Sequence, residues 1–433
     1  IDFSHTSFGE GQIYFVDTNF GEGDLSFSES EFGNGDVFFC RANFGVGNLD
    51  FSNSTFGLGD VDFREATFGC FFVKFSDANF GEGCVYFTHT TFSNGVVSFS
   101  HCKFGKDKVF FSGANFRESL VSFQGAEFGE SSAYFSGTKI KDLNFSSTNA
   151  SSGEIRFDGA YFGEGNVSFN EAKLSKLFFT PSQLGTVSLS AQGLVISTAA
   201  VFELPSSIDQ LEDFHFLGAS FKGPLILSGS FQIVPDFLAT NSSHQVELSG
   251  LKVKLRRIPA SPTWHQRMFI KAKDPQDAAR LRRLKEIAES NKDHQAALRF
   301  SADEHRARRW DQTSKLGSVL DIAFSALSNY GQSILRPSCS LFFFYCVFTS
   351  LLLANSTAKS FESWTGWLQS ALLSASNTLP FLPQSRSLRE DAVEALYFDD
   401  PSLLVDSIMI GQGALSFIFL FLIGLGVRNR FRL

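Results

Sequence analysis

Residues 27–51 read FSESEFGNGDVFFCRANFGVGNLDF. Phe27, Phe39 and Phe51 stand at a constant interval of 12 residues, and Phe32 and Phe44 repeat it 5 residues later. Outward from this window one series runs from Phe3 through Phe63, Phe75 and Phe87 to Phe135. The other runs from Phe8 through Phe56, Phe68 and Phe80 to Phe128. The consensus is F-x-x-A-x-F-G-x-G-x-V-x, and self-similarity at a fixed period is the signature of a repeat architecture. Phe makes up 53 of the 433 residues, against 7 Tyr and 4 Trp. A bias toward one aromatic points to one repeated steric slot.

The spacing within the repeat selects strand over helix. Ala42 and Phe44 lie two apart, as do Val37 and Phe39, so each pair shares one face of an extended segment. An amphipathic helix would space its apolar residues near 3.6, which this pattern does not do. Gly33 and Gly35 supply backbone freedom for a corner between the pairs. Ser, Thr, Asn and acidic residues fill the outward positions. Phe39, Phe44, Phe51, Phe56, Phe63, Phe68, Phe75 and Phe80 are therefore expected to stack as an interior ladder. The frame loses two residues between Phe135 and Phe145, resumes at Phe157, Phe162 and Phe169, and decays past Phe179. Residues 1–179 are assigned to the regular solenoid. Residues 180–255 are assigned to its irregular end, which must also cap the open core.

At this point the chain resembles the pentapeptide-repeat family, whose signature is A-(D/N)-L/F-x-x. Ala42-Asn43-Phe44, Ala78-Asn79-Phe80 and Ala114-Asn115-Phe116 fit it. The resemblance implies a mainly β fold, a right-handed quadrilateral parallel β-helix. The chain departs from the family by alternating units of five and seven residues. That pattern gives either a 24-residue coil with two enlarged corners, the favoured form, or a flatter coil of 12.

Charge divides the chain. Residues 1–250 hold 13 Lys and Arg against 29 Asp and Glu, a net of −16, whereas residues 251–433 hold 24 against 16. Within 252–315 the balance is 17 to 8. Asp274-Pro275 is a good helix start, with Ala278, Leu281, Leu284 and Ala288 on one face. Asp293 is placed to cap a second helix bearing Ala297, Phe300 and Trp310. Residues 256–315 thus read as a basic helical pair, facing lipid or solvent ahead of nucleic acid, and 316–336 as a pre-membrane helix.

Residues 337–354 and 409–427 carry no charge and are long enough to cross a bilayer. Arg336 precedes the first, and Arg428, Arg430 and Arg432 follow the second in the tail 428–433. The intervening 355–408 has 3 Lys and Arg against 7 Asp and Glu. The positive-inside rule then puts both termini and the solenoid in the cytoplasm, in an inner-membrane protein. Tyr330-Gly331-x-Ser333-x-x-Arg336-Pro337 and Arg428-Asn429-Arg430-Phe431-Arg432 resemble bacterial pentapeptide-repeat membrane proteins, a likeness that carries topology only. Within the loop, 364–382 is apolar. It reads as a re-entrant segment ending in the candidate pore loop Ser374, Ser376, Asn377, Thr378, Leu379 and Pro380. The alternative is an amphipathic helix lying on the outer surface, anchored by Trp364 and Trp367. The potassium-selective T-x-G-Y-G is absent. Gly411, Gly413, Gly424 and Gly426 would let second spans pack closely.

No catalytic set is legible, and no enzyme activity, cofactor or metal is expected. His5, His89 and His101 sit on the outward side, two residues after a repeat Phe. His215, His244, His265, His294 and His305 show no paired metal spacing. The recurrent Gly-x-Gly lacks the following helix and G-K-[ST] of a phosphate loop. Cys40, Cys70, Cys84, Cys102, Cys339 and Cys346 form no C-x-x-C and suit a reducing compartment. Three roles fit. One is a homo-oligomeric, tetrameric two-span pore with a cytoplasmic solenoid. Another is a membrane-tethered scaffold recruiting a cytoplasmic protein. The last is a nucleic-acid mimic, disfavoured by the spans.

Overall fold

The computed structural model describes residues 1–205, 211–242, 245–259, 269–357, 364–398 and 401–431. His244, His265 and Arg432 lie outside the described residues. The chain divides into two compact units. The first is Ile1–Ser261 with Ala272–Ala307, and the second is Pro262–Lys271 with Arg308–Leu433.

The first unit is a parallel β-solenoid of about 10 turns. Val37 pairs with Ile13 on one side and Val61 on the other, and Leu49 with Leu25 and Val73. Each partner is 24 residues away, so the larger of the two coils is the one adopted. The Val37 and Leu49 series form two long parallel sheets. Single bridges at Glu31–Thr55 and Asn43–Thr67 mark two further walls. The four walls meet at two kinds of corner. In the five-residue unit the Ser30 amide donates to the Phe27 carbonyl at 3.2 Å, and Glu29 between them is left-handed at φ 57°. In the seven-residue unit the bend falls on glycine, such as Gly45 at φ 64°.

Over residues 1–135 each coil contributes four Phe rings, and each ring stacks on its counterpart one coil away. Phe15, Phe39, Phe63 and Phe87 follow at centroid distances of 4.8, 4.9 and 4.8 Å. These are near the spacing of adjacent strands, so one geometry satisfies both the backbone hydrogen bonds and ring stacking. The eight expected ladder residues are all buried at 0 or 1% exposure. Each such burial contributes about 1.5–3 kcal/mol. The small slot holds Ala, Ser, Thr or Cys; Thr90 and Cys102 turn their side-chain donors onto carbonyls of Phe87 and Phe75. Where two residues are lost, the register slips between Phe116–Ile140 and Leu120–Asp142, and a bulge absorbs the change.

The left-handed corner changes one expectation. Asp77 is exposed, so truncation to Ala ought to be silent. It is also left-handed at φ 59°, a conformation that glycine adopts freely and Asp tolerates through its short polar side chain, but in which the Cβ of alanine is strained. Asp77→Ala should therefore lower stability by about 1 kcal/mol, and Asp77→Gly should match or exceed the wild type. Equal stabilities for the two variants in urea titrations would refute this account.

The core is closed by helices, not by 180–255 as the sequence suggested. Coil pairing continues to Val253, and beyond it stand α1 (Asp277–Ser290) and α2 (His294–Arg308). Their residues Leu281, Leu284, Ile287, Ala297 and Phe300 join the same apolar core as the Phe ladders. Asp293 caps α2, accepting from the Ala296 amide at 2.9 Å. Asp274 instead accepts from the Gln276 amide, just ahead of α1. Part of the basic charge is structural. Arg283 donates to the Thr240 carbonyl at 2.9 Å, Arg299 to Ser249 at 3.3 Å, and Asn291 to Val246 at 3.1 Å. The last coil has no following coil to take these carbonyls, and the cap supplies donors instead.

Asp277 gives this cap a pH dependence. Burial, then the neighbouring Asp274 carboxylate, push it from 3.8 to about 6, against the opposing pull of Arg280 and Arg256. A carboxyl raised on folding contributes most below its unfolded value, and the contribution is lost as pH rises through the folded one. Asp277→Asn should thus flatten the fall in stability between about pH 4 and 6 relative to wild type. An unchanged slope would show that the group titrates normally.

Candidate functional site

The second unit is helical. Its elements are α3 (Lys315–Ser328), α4 (Leu335–Ala354), α5 (Trp364–Thr378), α6 (Ser385–Tyr397) and α7 (Leu403–Phe431). Helices α4 and α7 are long and apolar enough to cross a membrane, and little of their apolar surface is buried within the chain. Phe342, Phe343, Ile410, Phe417 and Phe421 are exposed. Helix α3 is inside out: Ser318 and Ser328 are buried while Leu316, Val319 and Leu320 are exposed.

Helices α4 and α7 form an antiparallel hairpin. The Asn429 amide donates to the Gly331 carbonyl at 3.0 Å, and Phe344 stacks on Phe419 at 5.5 Å. Gly331 lies at φ 74°, and a Cβ there would meet Leu425 at 2.7 Å. The two short motifs at the start of α4 and the end of α7 thus touch each other, with Arg336, Arg428 and Arg430 at that end of the hairpin.

Between α4 and α7 stands a second hairpin. Helix α5 runs back along α4: the Ser370 hydroxyl donates to the Thr349 carbonyl at 2.6 Å, and Ser374 to Tyr345 at 3.3 Å. Tyr345 is near the midpoint of α4, so Ser374, near the C-terminal end of α5, lies beside the middle of that helix. Helix α6 returns, and the Tyr397 hydroxyl closes the hairpin on the Leu352 carbonyl at 2.6 Å. Trp364, 82% exposed, stands at the start of α5.

The candidate pore-loop residues separate into two groups. Ser374 and Thr378 face inward onto Gln412 of α7, itself 1% exposed. The Gln412 amide donates to the Ser374 hydroxyl at 2.6 Å, its carbonyl at 2.9 Å, and the Thr378 hydroxyl at 3.2 Å. The Asn377 amide reaches the Gln412 carbonyl oxygen at 3.5 Å. Ser376 and Asn377 also border a recess of about 460 Å³ shared with Arg386, Arg389, Gly413 and Phe417. Leu379 is half-buried and Pro380 exposed, at the bend into α6.

The glycines divide as well. Gly426 packs against Ile334 within the chain, whereas a Cβ on Gly411, Gly413 or Gly424 would meet nothing within 4 Å. Gln412 escaped the sequence reading although it is the one amide between Met409 and Val427; its partners come from another helix. No family model and no curated protein matches the chain. Among the described residues, no group of three or more His, Cys, Asp or Glu could hold a metal ion.

Proposed function

We propose that this chain is a bacterial inner-membrane protein of the pentapeptide-repeat kind, whose two spans and re-entrant hairpin form an oligomeric, channel-like module. The observation that carries this reading is α5, which ends at mid-span depth with its polar residues turned toward α7 and the adjoining recess. Polar groups at that depth are costly unless they meet water or each other. Two spans cannot enclose an aqueous path, so the module works as a symmetric oligomer, in its simplest form a tetramer. The open Gly411, Gly413 and Gly424 are the positions where a second copy can approach closely. The inside-out polarity of α3 suits a helix lying at the lipid surface. The charge contrast across the spans favours a topology with the solenoid and both termini in the cytoplasm.

A second reading is favoured by the closed set of hydrogen bonds around Gln412. Ser374, Thr378 and Gln412 satisfy one another within one chain and need no water. On that reading the module is an anchor, and the solenoid wall recruits a cytoplasmic protein.

Cysteine at Asn377 separates the two. In a channel, Asn377→Cys should be modified by a water-soluble thiol reagent in bilayers, with a change in ionic current. Cys339 and Cys346 are exposed, so the test uses a background in which both are Ser. A monomer in mild detergent without conductance would leave only the anchor. Reporters fused after the C-terminus and inserted within 384–400 should report opposite compartments; agreement between them would exclude the two-span topology.

A further inference from the structure

Beside the cap, within the first unit, lies a recess of about 700 Å³. Five cations line it, Lys254, Arg256, Arg257, Lys273 and Arg306, against one carboxylate, Asp303. The sequence builds this concentration by alternation. In Lys252-Val253-Lys254-Leu255-Arg256 the chain is extended, Val253 and Leu255 pack against the core, and the basic residues take the other side. The Lys273 amide donates to the Arg256 carbonyl at 2.9 Å, which brings a separate stretch of chain to the same place. Helix α2 contributes the remaining wall. Asp303 accepts from Arg306 at 2.7 Å, and five cations against one carboxylate leave the lining with a net of four positive charges.

Like charges gathered in one concave site raise the local potential, and an anion relieves it. Guanidinium groups add forked donors that match the oxygens of a phosphate. We propose that this recess binds a phosphate-bearing anion, presented either on a lipid headgroup or on a soluble organophosphate. The site is independent of the channel reading, because it belongs wholly to the solenoid and its cap.

The full chain, in an uncharged detergent, would be titrated by calorimetry with inorganic pyrophosphate and with short-chain phosphatidylglycerol. Short-chain phosphatidylcholine serves as the uncharged comparison. Heat from phosphatidylglycerol alone identifies a lipid headgroup, and heat from pyrophosphate a soluble phosphate. Either supports the site if Lys254→Gln/Arg257→Gln/Lys273→Gln weakens binding by about tenfold or more, as expected on removing three charges. These residues are exposed, and Arg256 is spared because it also holds the Leu211 carbonyl. Lys254→Arg/Lys273→Arg should retain binding. Lys103→Gln/Lys108→Gln/Lys173→Gln removes the same charge from the solenoid wall and should leave affinity unchanged. The proposal is overturned if neither ligand binds, if both triple variants weaken binding equally, or if phosphatidylcholine binds as well as phosphatidylglycerol.

Discussion

Phe75→Ala should lower the unfolding free energy by about 3–5 kcal/mol, the range for emptying a packed aromatic site. Phe75 is fully buried, stacked on Phe51 at 5.1 Å and Phe99 at 5.0 Å, and meets Phe63 and Phe87 edge-on at 5.7 and 5.5 Å. The hole cannot collapse easily. The rings above and below are held apart by the hydrogen bonds between coils, so the neighbours have no backbone freedom to fill it. Phe75→Leu should recover roughly half of the loss, since it restores volume without the ring contacts. Pulse proteolysis across a urea series measures both variants in the full chain. A loss below about 1 kcal/mol for Phe75→Ala would mean that the column bears no weight.

Gly45→Ala should be nearly as damaging, and its match in the preceding coil much less so. Both residues are left-handed, at φ 64° for Gly45 and 75° for Gly21, so each alanine costs about 1 kcal/mol in backbone strain. The surroundings differ. A Cβ on Gly45 would sit 1.6 Å from the Gly21 carbonyl oxygen, whereas one on Gly21 meets nothing within 4 Å. A backbone oxygen cannot rotate away as a side chain can, so the coils must separate locally. Overpacking of this kind adds about 1–3 kcal/mol. The difference between the two variants isolates close approach from conformational strain. Equal losses would show that strain alone makes this corner a glycine.

The Phe columns were legible because the same physical demand recurs in every coil. A ring must sit on a ring, so the twelve-residue interval survives although the outward residues vary. The coil length was legible as a preference, since alternating five- and seven-residue units make two unlike corners. The left-handed state of Glu29, Asp77 and His89 was not. Polar residues there serve an outward position, and a polar residue says nothing of its own φ. The cap was hidden for another reason. The stripe Leu281, Leu284 and Ala288 announces a buried face but not what buries it, and nearby arginines suggested lipid. Helix α6 was missed because 385–397 is polar and carries no apolar period long enough to stand out from a loop. Gln412 needed the packing of α5 on α7, which no spacing within one helix reveals.

The helical cap decides how the last coils of the solenoid come apart. Each coil touches only the coils beside it, so opening spreads as in a zipper. Leu281, Leu284 and Ile287 of α1 share one core with Leu225 and Val246 of the last coils and hold that end shut. Amide exchange around Leu225 should therefore stay slow although the repeat is least regular there. Leu284→Ala should loosen the clasp and speed exchange around Leu225 and Val246, while the coil around Phe75 keeps its rate.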